Sequence, residues 1–451
     1  MTRSLSDAQL LLEIVDVAFP EGYGVAKRDD FVFFVPGGLP GDIVRAKIAR
    51  EGKRFGFAHL VDFERESPFR RAATCPHFGT CGGCVFQNLA YEKQLELKQN
   101  YLLQTLHRIG NVSLDAVEVA PIVPSVEQYF YRSKVELFFG KYGSASVGFR
   151  ERVSPFEPYT EKLVSIRRCP IFSESLDRLL PLFGEYSGRV YAFADAKQTK
   201  QPALKKLIVR EAKWNKKLMV SLVVSGDDVI ELPWLVQEIQ REVPEVASLW
   251  VITNRRKELL IGSPYLEEML GRQTFRVYPQ TFFQPNTRTA ERLYDSIAGL
   301  CRATASERIL GLYSGTGPIE ISLSPFARRI VGIDSDRDNI AAAIENCRIN
   351  QVRNCQFHRQ KAEHASSLDI SGPFDLIIVD PPRAGLTPEA LSFIKGRGVP
   401  RLIYVSCNPS TLARDLKRLR EAGYTPKNIL PFDFFPHGAH LETLVLLGKN
   451  G

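Results

Sequence analysis

The sequence predicts an α/β protein in which a doubly wound parallel sheet follows a small N-terminal β-barrel and an α+β central domain. Short β-rich runs alternate with Gly-rich turns over residues 10–63, as in an oligonucleotide-binding (OB) barrel. From residue 274 onward, apolar runs alternate with amphipathic helical patterns, as in a parallel sheet with crossover helices. The region between them mixes strands and helices without a repeat. We therefore predict domains at 1–67, 68–273 and 274–451.

Composition limits the class of protein. The 451 residues carry a net charge of +8 and are 44% hydrophobic and 24% charged, which is ordinary for a soluble globular chain. No apolar run is long enough to span a bilayer, and acidic residues interrupt any N-terminal signal sequence, so we expect a cytoplasmic protein without membrane contact. The basic balance favours an anionic partner such as nucleic acid. Eight cysteines in such a chain favour metal binding or catalysis over disulfides.

The first predicted domain contains a basic and aromatic hairpin. Cationic and aromatic side chains on one hairpin suit a surface that binds phosphates and stacks bases, so we predict RNA contact there. The alternative is a solvated hairpin with two core phenylalanines. The predicted strands are Leu11–Val17, Phe31–Val35, Asp42–Ala49 and Gly56–Phe63. The basic and aromatic residues are Arg45, Lys47, Arg50, Lys53, Arg54, Phe55 and Phe57.

Three clustered cysteines open the central domain. Five residues separate Cys75 from Cys81, and two separate Cys81 from Cys84, so that one loop can surround a metal. Cys169, which Pro170 follows, is the nearest downstream candidate for a fourth ligand. Four cysteines suit either an iron–sulfur cluster or zinc. Free cysteines that happen to lie close together are the alternative.

Two further patterns mark the central domain. Apolar residues at helical spacing predict an amphipathic helix at Tyr91–Ile109. The stretch Lys197–Lys217 carries eight Lys or Arg side chains and one acid, Glu211. This stretch is interpreted either as a groove for an RNA backbone or as an ordinary solvated face.

The last domain shows a regular βαβ pattern. The predicted strands are Arg308–Tyr313, Ile330–Asp334, Phe374–Asp380 and Leu402–Val405. The predicted helices are Asp336–Asn350, Pro388–Lys395 and Thr411–Glu421. Ligands of such sheets bind at the carboxyl ends of the strands, so residues that follow a strand are site candidates.

Four polar or aromatic residues are candidates for a nucleotide-like ligand. The loop from Tyr313 to Gly317 follows the first strand, and its glycines allow close approach of the backbone. Asp334 ends the next strand, where an acid can hold ribose hydroxyls. A third glycine is missing, which favours an adenosyl ligand over a dinucleotide. Asp380 ends a later strand, and Gln284, whose amide can donate and accept, precedes the sheet.

Cys407 and Glu442 are candidates for chemistry. Cys407 lies at a strand-to-helix turn, where we expect Ser410 to cap the helix and nearby backbone N–H groups to favour the thiolate. A buried structural cysteine is the alternative. Glu442 lies at the start of a final strand beside apolar residues, where a carboxylate can have a raised pKa and act as a base.

Taken in order, these motifs resemble one family. Cys-x5-Cys-x2-Cys at 75–84, Phe-Phe-Gln-x-Asn at 282–286, Asp-Pro-Pro-Arg at 380–383, Ser-Cys-Asn-Pro at 406–409 and His-x-Glu at 440–442 are similar to those of 23S rRNA (uracil-5-)-methyltransferases. Those enzymes carry an N-terminal TRAM domain and a 4Fe-4S cluster. The resemblance covers nearly the whole chain and implies a Rossmann-like methyltransferase domain at its end.

The resemblance implies a role for each candidate. Cys407 is then the nucleophile and Glu442 the base. Gln284, Tyr313, Asp334 and Asp380 surround S-adenosyl-L-methionine, and Cys75, Cys81, Cys84 and Cys169 hold the 4Fe-4S cluster. The expected substrate is RNA, most plausibly 23S rRNA with tRNA as the alternative, and the expected enzyme is a monomer. Two departures from the family pattern, Ser314 and Pro318, bear on cofactor binding.

Two other functions compete. DNA cytosine-C5 methylation uses the same thiol chemistry on a flipped base, but Pro409 follows the cysteine here, whereas a preceding proline is expected in that class. An RNA-binding factor with an inactive Rossmann domain would require that five residues are all incidental: Cys407, Glu442, Gln284, Asp334 and Asp380. We therefore expect an RNA (uracil-5-)-methyltransferase.

Overall fold

A closed five-stranded barrel forms the N-terminus in a computed structural model of the chain. Its order is β1-β2-β3-β5-β4, and β1 pairs with β4 to close it. The predicted OB-type barrel is confirmed, although the sequence interpretation missed β2. The strands are β1 Gln9–Ala18, β2 Tyr23–Arg28, β3 Phe31–Val35, β4 Ile43–Glu51 and β5 Phe55–Arg65. The structure describes residues 9–140, 146–157, 161–197, 203–225, 232–301, 307–368, 370 and 373–449.

Helix α1, Tyr91–Arg108, and the short strand β6, Glu118–Val119, follow the cysteine loop. Leu102 and Leu106 of α1 are fully buried in a core that they share with helices near the C-terminus. Strand β6 forms the edge of the C-terminal sheet. Residues 91–119 therefore pack as part of the last domain, although they precede most of the central domain in sequence.

The central region contains a seven-stranded, mainly antiparallel sheet with helices packed against it, as predicted for an α+β domain. Its order is β13-β12-β11-β10-β7-β8-β9. The strands are β7 Lys134–Phe139, β8 Val147–Arg150, β9 Leu163–Ser165, β10 Ala203–Glu211, β11 Leu218–Ser225, β12 Val246–Ile252 and β13 Lys257–Gly262. The helices are α2 Leu176–Lys197 and α3 Leu232–Glu242.

The last region is an eight-stranded sheet preceded by a β-hairpin and helix α4. The sheet order is β18-β17-β16-β19-β20-β22-β21-β6; the strands from β18 to β20 are parallel, and β22 runs antiparallel to β20. The strands are β14 Leu266–Leu270, β15 Gln273–Val277, β16 Arg308–Leu312, β17 Arg329–Asp334, β18 Cys355–Arg359, β19 Leu376–Val379, β20 Arg401–Ser406, β21 Tyr424–Phe432 and β22 Glu442–Lys449. The helices are α4 Thr287–Cys301, α5 Pro318–Leu323, α6 Arg337–Ile349, α7 Pro388–Arg397 and α8 Pro409–Glu421.

Two hydrophobic cores lie on opposite faces of this sheet. One core packs β16 residues such as Leu310 against α7 and α8, and the other packs Ile309 of the same strand against α4 and α5. Alternate residues of one strand thus enter different cores, as in a sheet covered on both faces. The predicted doubly wound α/β fold is confirmed. None of the described helices is long and apolar enough to cross a membrane.

Candidate active site

The predicted cofactor and catalytic residues gather at one edge of the sheet. Tyr313 follows β16, Asp334 ends β17, Asp380 follows β19 and Cys407 follows β20. Because these strands are parallel, their carboxyl ends meet at the same edge. Glu442 joins this edge from the antiparallel β22, whose first residue it is.

The turn that carries Cys407 is fixed by Asn408. The Asn408 side-chain oxygen accepts a hydrogen bond from the Ser410 backbone N–H at 3.1 Å, and its amide donates to the Arg383 carbonyl at 3.1 Å. Helix α8 begins at Pro409, so the prediction that Ser410 caps the helix was wrong by two residues. A proline suits the first helical position because the N–H that it lacks would have no partner within the helix.

Burial sets the protonation of Cys407. Removal from water and the nearby carboxyl groups of Glu442 and Asp380 together raise the pKa of its thiol to about 12, while Arg383 opposes them. A backbone N–H group lowers the pKa, as expected from the sequence, but burial and the two acids outweigh it.

Glu442 is a buried acid that forms no ion pair with any of the described residues. Its side chain is 3% exposed, and its Oε1 has no hydrogen-bond partner among the described residues. Burial raises the pKa of Glu442 well above its usual range, and Asp380 adds to that rise. The raised pKa that the sequence suggested is present. Burial, followed by repulsion from Glu320, likewise raises the pKa of Asp380 to about 7.

Hydrogen bonds hold three of the cofactor candidates in place, and one of these bonds joins two candidates. The Gly315 N–H donates to Asp334 Oδ2 at 2.9 Å, and the Asn339 amide donates to Asp334 Oδ1 at 3.3 Å. The Gln284 amide donates to Asp380 Oδ2 at 3.4 Å, which brings these two distant candidates together. Tyr313 has a positive φ of 64°, a sparsely populated conformation for a residue with a side chain.

The two departures from the family pattern have structural roles here. The Ser314 hydroxyl accepts a hydrogen bond from the Ile333 N–H at 3.0 Å and so ties the loop to β17. Pro318 begins helix α5, where its missing N–H is tolerated.

A cavity of about 730 Å³ reaches from Cys407 to the cysteine loop of the central domain. Cys75, Cys81, Cys84 and Cys169 all border it. Aromatic and cationic residues also line it, and the sequence analysis assigned them no role: Arg132, Phe282, Arg383, Phe435 and His440. Of these, Phe282, Arg383 and His440 lie inside quoted motifs, which was the available signal. A cavity with basic and aromatic walls suits a nucleotide, because cationic side chains can bind its phosphate and aromatic side chains can stack on its base.

The four cysteines supply suitable donors for a metal cluster. Burial raises the pKa of Cys84 to about 11 and that of Cys169 to about 12, and the thiols reinforce this by mutual repulsion. N–H groups approach two of the sulfurs: Gly83 N lies 3.4 Å from Cys81 Sγ, and Gln87 Nε2 lies 3.3 Å from Cys84 Sγ. Yet no set of three or more His, Cys, Asp or Glu side chains in the described ranges is arranged to hold a metal ion.

The cysteine loop is tied to the segment that precedes Glu442. Val85 and Phe86, which follow Cys84, both donate backbone N–H groups to the His437 carbonyl, at 2.8 and 3.0 Å. In α1, Lys98 forms a fully buried ion pair with Asp433 at 2.6 Å. These bonds join the cavity wall near the cysteines to the wall formed by Phe435 and His440.

The basic stretch of the central domain is mixed in its structure. Arg210 is 4% exposed and donates to the Thr281 carbonyl, and Lys213 is buried against Glu211. Neither interpretation of the stretch, a groove for an RNA backbone or a solvated face, fits these two residues, because neighbouring acceptors hold them inside. Lys205 is exposed, whereas Lys200 lies outside the described residues.

The chain is similar to known RNA methyltransferases along most of its length. The pattern of the tRNA (uracil-5-)-methyltransferase family matches residues 236–450, and that of the TRAM domain matches residues 9–61. An uncharacterized RNA methyltransferase of Halalkalibacterium halodurans is 30% identical over 95% of this chain and 94% of its own. Another, from Caldanaerobacter subterraneus subsp. tengcongensis, is 32% identical over 97% of this chain and 99% of its own.

A solved structure also matches along the whole length. The Pyrococcus abyssi tRNA (uracil-54, C5)-methyltransferase, in complex with S-adenosyl-L-homocysteine, superimposes with a TM-score of 0.71 at 26% identity. The match covers 98% of this chain and 100% of that one. Fold and site thus define an S-adenosylmethionine-dependent RNA methyltransferase with a TRAM domain. The chain belongs to the family of tRNA and RNA (uracil-5-)-methyltransferases.

Proposed function

We propose that this enzyme methylates C5 of a specific uridine in RNA through a covalent bond between Cys407 and C6 of the base. The observation that carries the proposal is the proximity of one thiol and two buried carboxyl groups: Glu442 and Asp380 both raise the pKa of Cys407. A nucleophile and a base at one edge of the sheet suit a reaction that needs both.

The residue types follow from the chemistry of uracil. C5 is a weak nucleophile until Cys407, which loses its thiol proton to solvent, adds to C6 and moves an electron pair towards C5. S-adenosylmethionine supplies the electrophilic methyl group. Glu442, in its ionised form, then accepts the proton that remains on C5, the C5–C6 double bond re-forms, and the thiolate leaves and takes a proton back from solvent. Glu442 returns the C5 proton to solvent, so that one proton is released in each turnover. Because the target base must leave its stack to reach Cys407, an unstacked or flipped nucleotide is required.

We propose that the cofactor binds at the same edge of the sheet as the target base, but on the other side of it. Asp334 would face ribose hydroxyls, Tyr313 and its loop would contact the adenosyl group, and Gln284 with Asp380 would face the methionine part. The Gln284–Asp380 hydrogen bond and the bond from the Gly315 N–H to Asp334, both at the carboxyl ends of the strands, support this assignment.

For the substrate we propose a uridine of 23S rRNA, because the combination of a TRAM domain and a cysteine loop resembles the rRNA enzymes. A tRNA uridine is the second candidate, which the end-to-end match with the Pyrococcus abyssi tRNA enzyme supports. Nucleoside mass mapping of rRNA and tRNA from cells with and without this protein tests both. Loss of one 5-methyluridine from rRNA supports the first, and loss from tRNA alone supports the second. We place the enzyme in the cytoplasm as a monomer.

The cysteines are proposed to hold a 4Fe-4S cluster. Protein purified without oxygen should be brown and contain iron and acid-labile sulfide. Cys75→Ser should lower the yield of soluble protein, because metal-binding energy contributes to folding in such loops. Cys355→Ser, which changes a cysteine of similar exposure elsewhere, is the control. A colourless protein with one zinc ion per chain would overturn the cluster.

The barrel hairpin is proposed to bind RNA. Lys53, Arg54 and Phe55 are exposed, and Phe55 packs edge-on against Phe34 and Phe57. Lys53→Ala with Arg54→Ala should weaken binding to RNA and flatten its salt dependence by about one unit of slope per lost phosphate contact. Filter binding at several salt concentrations measures this.

Two variants sharpen the hairpin test. Phe55→Ala should weaken binding by about 1–3 kcal/mol without changing the salt slope, because stacking releases no counterions. Arg241→Ala removes an exposed cation that pairs with acids on α3 and should change neither quantity. An unchanged salt slope in the Lys53 and Arg54 variant would show that the hairpin is merely solvated.

A further inference from the structure

A second cavity lies beside the first one, which reaches from Cys407 to the cysteine loop. Its volume is about 350 Å³, and its walls come from the central sheet, from helix α6 and from the turn at residues 278–282. None of the four proposed cofactor residues, all of which the structure describes, borders it. The lining residues of the sheet and the helix are Trp250 and Lys257, and Asp338, Ala341 and Ala342.

The turn at residues 278–282 separates the two cavities. Gln280 and Thr281 border both of them. Tyr278 and Pro279 border only the second cavity, whereas Phe282, which is 55% exposed, borders only the first. One aromatic side chain therefore stands on each side of the turn, and the polar side chain of Gln280 lies between them.

Hydrogen bonds fix this turn to both domains. Within it, the Thr281 N–H and hydroxyl donate to the Tyr278 carbonyl at 3.3 and 3.1 Å. Arg210 of the central sheet donates to the Thr281 carbonyl. On the other side, Asn339 of α6 accepts from the Phe282 N–H at 3.0 Å. A turn that is held at both ends forms a preorganised surface, which loses little entropy when a ligand binds.

The lining of the second cavity suits one nucleotide of a single strand. Trp250 and Tyr278 offer aromatic surfaces on which any base can stack. The Gln280 amide can donate to a base edge and accept from it. Lys257, whose side chain is 47% exposed, lies 3.1 Å from Asp338 and keeps further N–H donors for a phosphate.

We propose that the second cavity binds a nucleotide that flanks the target uridine in the RNA, with its base against Tyr278 and Trp250 and its phosphate near Lys257. This inference rests on the proposed function, which puts the target base in the first cavity. Because the cavities share wall residues, a strand crosses from one to the other over a single turn. The second cavity then replaces part of the stacking that the RNA loses when the target base is extruded.

Removal of single bases from a synthetic RNA tests this. The probe spans the uridine that the mass mapping locates, and each version of it lacks one base next to that uridine. For wild-type protein, one of these versions should bind about tenfold more weakly than the intact RNA, because one stacked base is lost. Filter binding measures the affinities.

Variants of Tyr278 locate the contact. Tyr278→Ala should weaken binding of the intact RNA about tenfold but should not weaken binding of the RNA that already lacks the sensitive base. Tyr278→Phe keeps the ring and should restore the sensitivity to that base. Phe69→Ala changes a 40% exposed aromatic residue that borders neither cavity, and it is the matched control that should bind both RNAs as wild type does.

The outcomes separate this inference from the proposed function. If wild-type protein neither binds nor methylates the intact RNA, the proposed function fails and this inference fails with it. If the RNA is methylated but no neighbouring base affects binding, only the role of the second cavity is overturned. Equal weakening of both RNAs by Tyr278→Ala would show that this residue supports the fold rather than the base.

A measurement on wild-type protein decides the matter if Tyr278→Ala does not fold. Ultraviolet crosslinking of the intact RNA, followed by mass spectrometry, should join a base next to the target uridine to Tyr278 or Trp250. Crosslinks of the neighbouring bases to other parts of the protein alone would overturn the proposal.

Discussion

Replacing Cys407 and Glu442 should stop the reaction at two different steps. Cys407→Ala should bind RNA and cofactor but form no covalent product, because nothing can add to C6. Glu442→Gln keeps size and hydrogen bonding but cannot accept a proton. It should therefore add to the base, transfer the methyl group and stall. We expect a protein–RNA adduct that carries the methyl group and survives denaturing gel electrophoresis, with turnover lowered by ~10²–10⁴-fold.

Three controls sharpen this result. Wild-type enzyme should form the same adduct on RNA that contains 5-fluorouridine, where C5 has no proton to lose. The double variant should form none, since addition precedes the blocked step. Cys355→Ala and Glu421→Gln, which change the same residue types outside the proposed catalytic pair, should keep activity. Methylation by Cys407→Ala would contradict the covalent mechanism, and near-normal turnover by Glu442→Gln would show that another group is the base.

Loss of the buried Lys98–Asp433 ion pair should be the largest stability defect of any single change described here. Both side chains are 0% exposed, and Asp433 also accepts a hydrogen bond from the Tyr91 hydroxyl at 2.8 Å. Lys98→Met leaves Asp433 buried without its counter-ion, for which we expect a loss of about 3–5 kcal/mol in the free energy of unfolding. Chemical denaturation followed by fluorescence measures it.

A second Lys–Asp pair offers a matched control. Lys257 and Asp338 lie 3.1 Å apart, but each side chain is 47% exposed. Lys257→Met should change stability by about 0–1 kcal/mol, because water screens such a pair. Equal effects of the two substitutions would mean that burial does not govern the Lys98 pair. Adding Asp433→Asn to Lys98→Met should recover part of the loss, since the uncompensated charge is then removed.

The fold was largely predictable because its patterns are local. Strand β3 begins and ends where the apolar run predicted, and α1 ends one residue before the predicted end. Strand β2, Tyr23–Arg28, was missed because Gly22 and Gly24 suggested only turns. The edge strand β6 has two residues and no pattern of its own, so only its partner β21 defines it.

The site was predictable in its residues but less so in their electrostatics. Position at strand ends identified Cys407, Asp380 and Asp334, because a sheet brings those positions together whatever the intervening sequence. The pKa of Cys407 depends on how deeply the thiol is buried and on Glu442, which is distant in the chain until the sheet forms.

The position of β6 beside β21 bears on how the protein is made. The pairing joins Glu118 to Asn428. Strand β6 can therefore enter the sheet only after β21, about three hundred residues later in the chain, has been synthesised. During translation, α1 leaves the ribosome long before α8. The leucines of α1 that are buried in the folded protein therefore remain exposed in the nascent chain until the last helices emerge. The nascent chain is thus open to aggregation or chaperone binding for most of its synthesis. A fragment that begins at residue 274 would lack the edge strand β6. We expect that a separate peptide of residues 91–125, added to that fragment, would restore the edge.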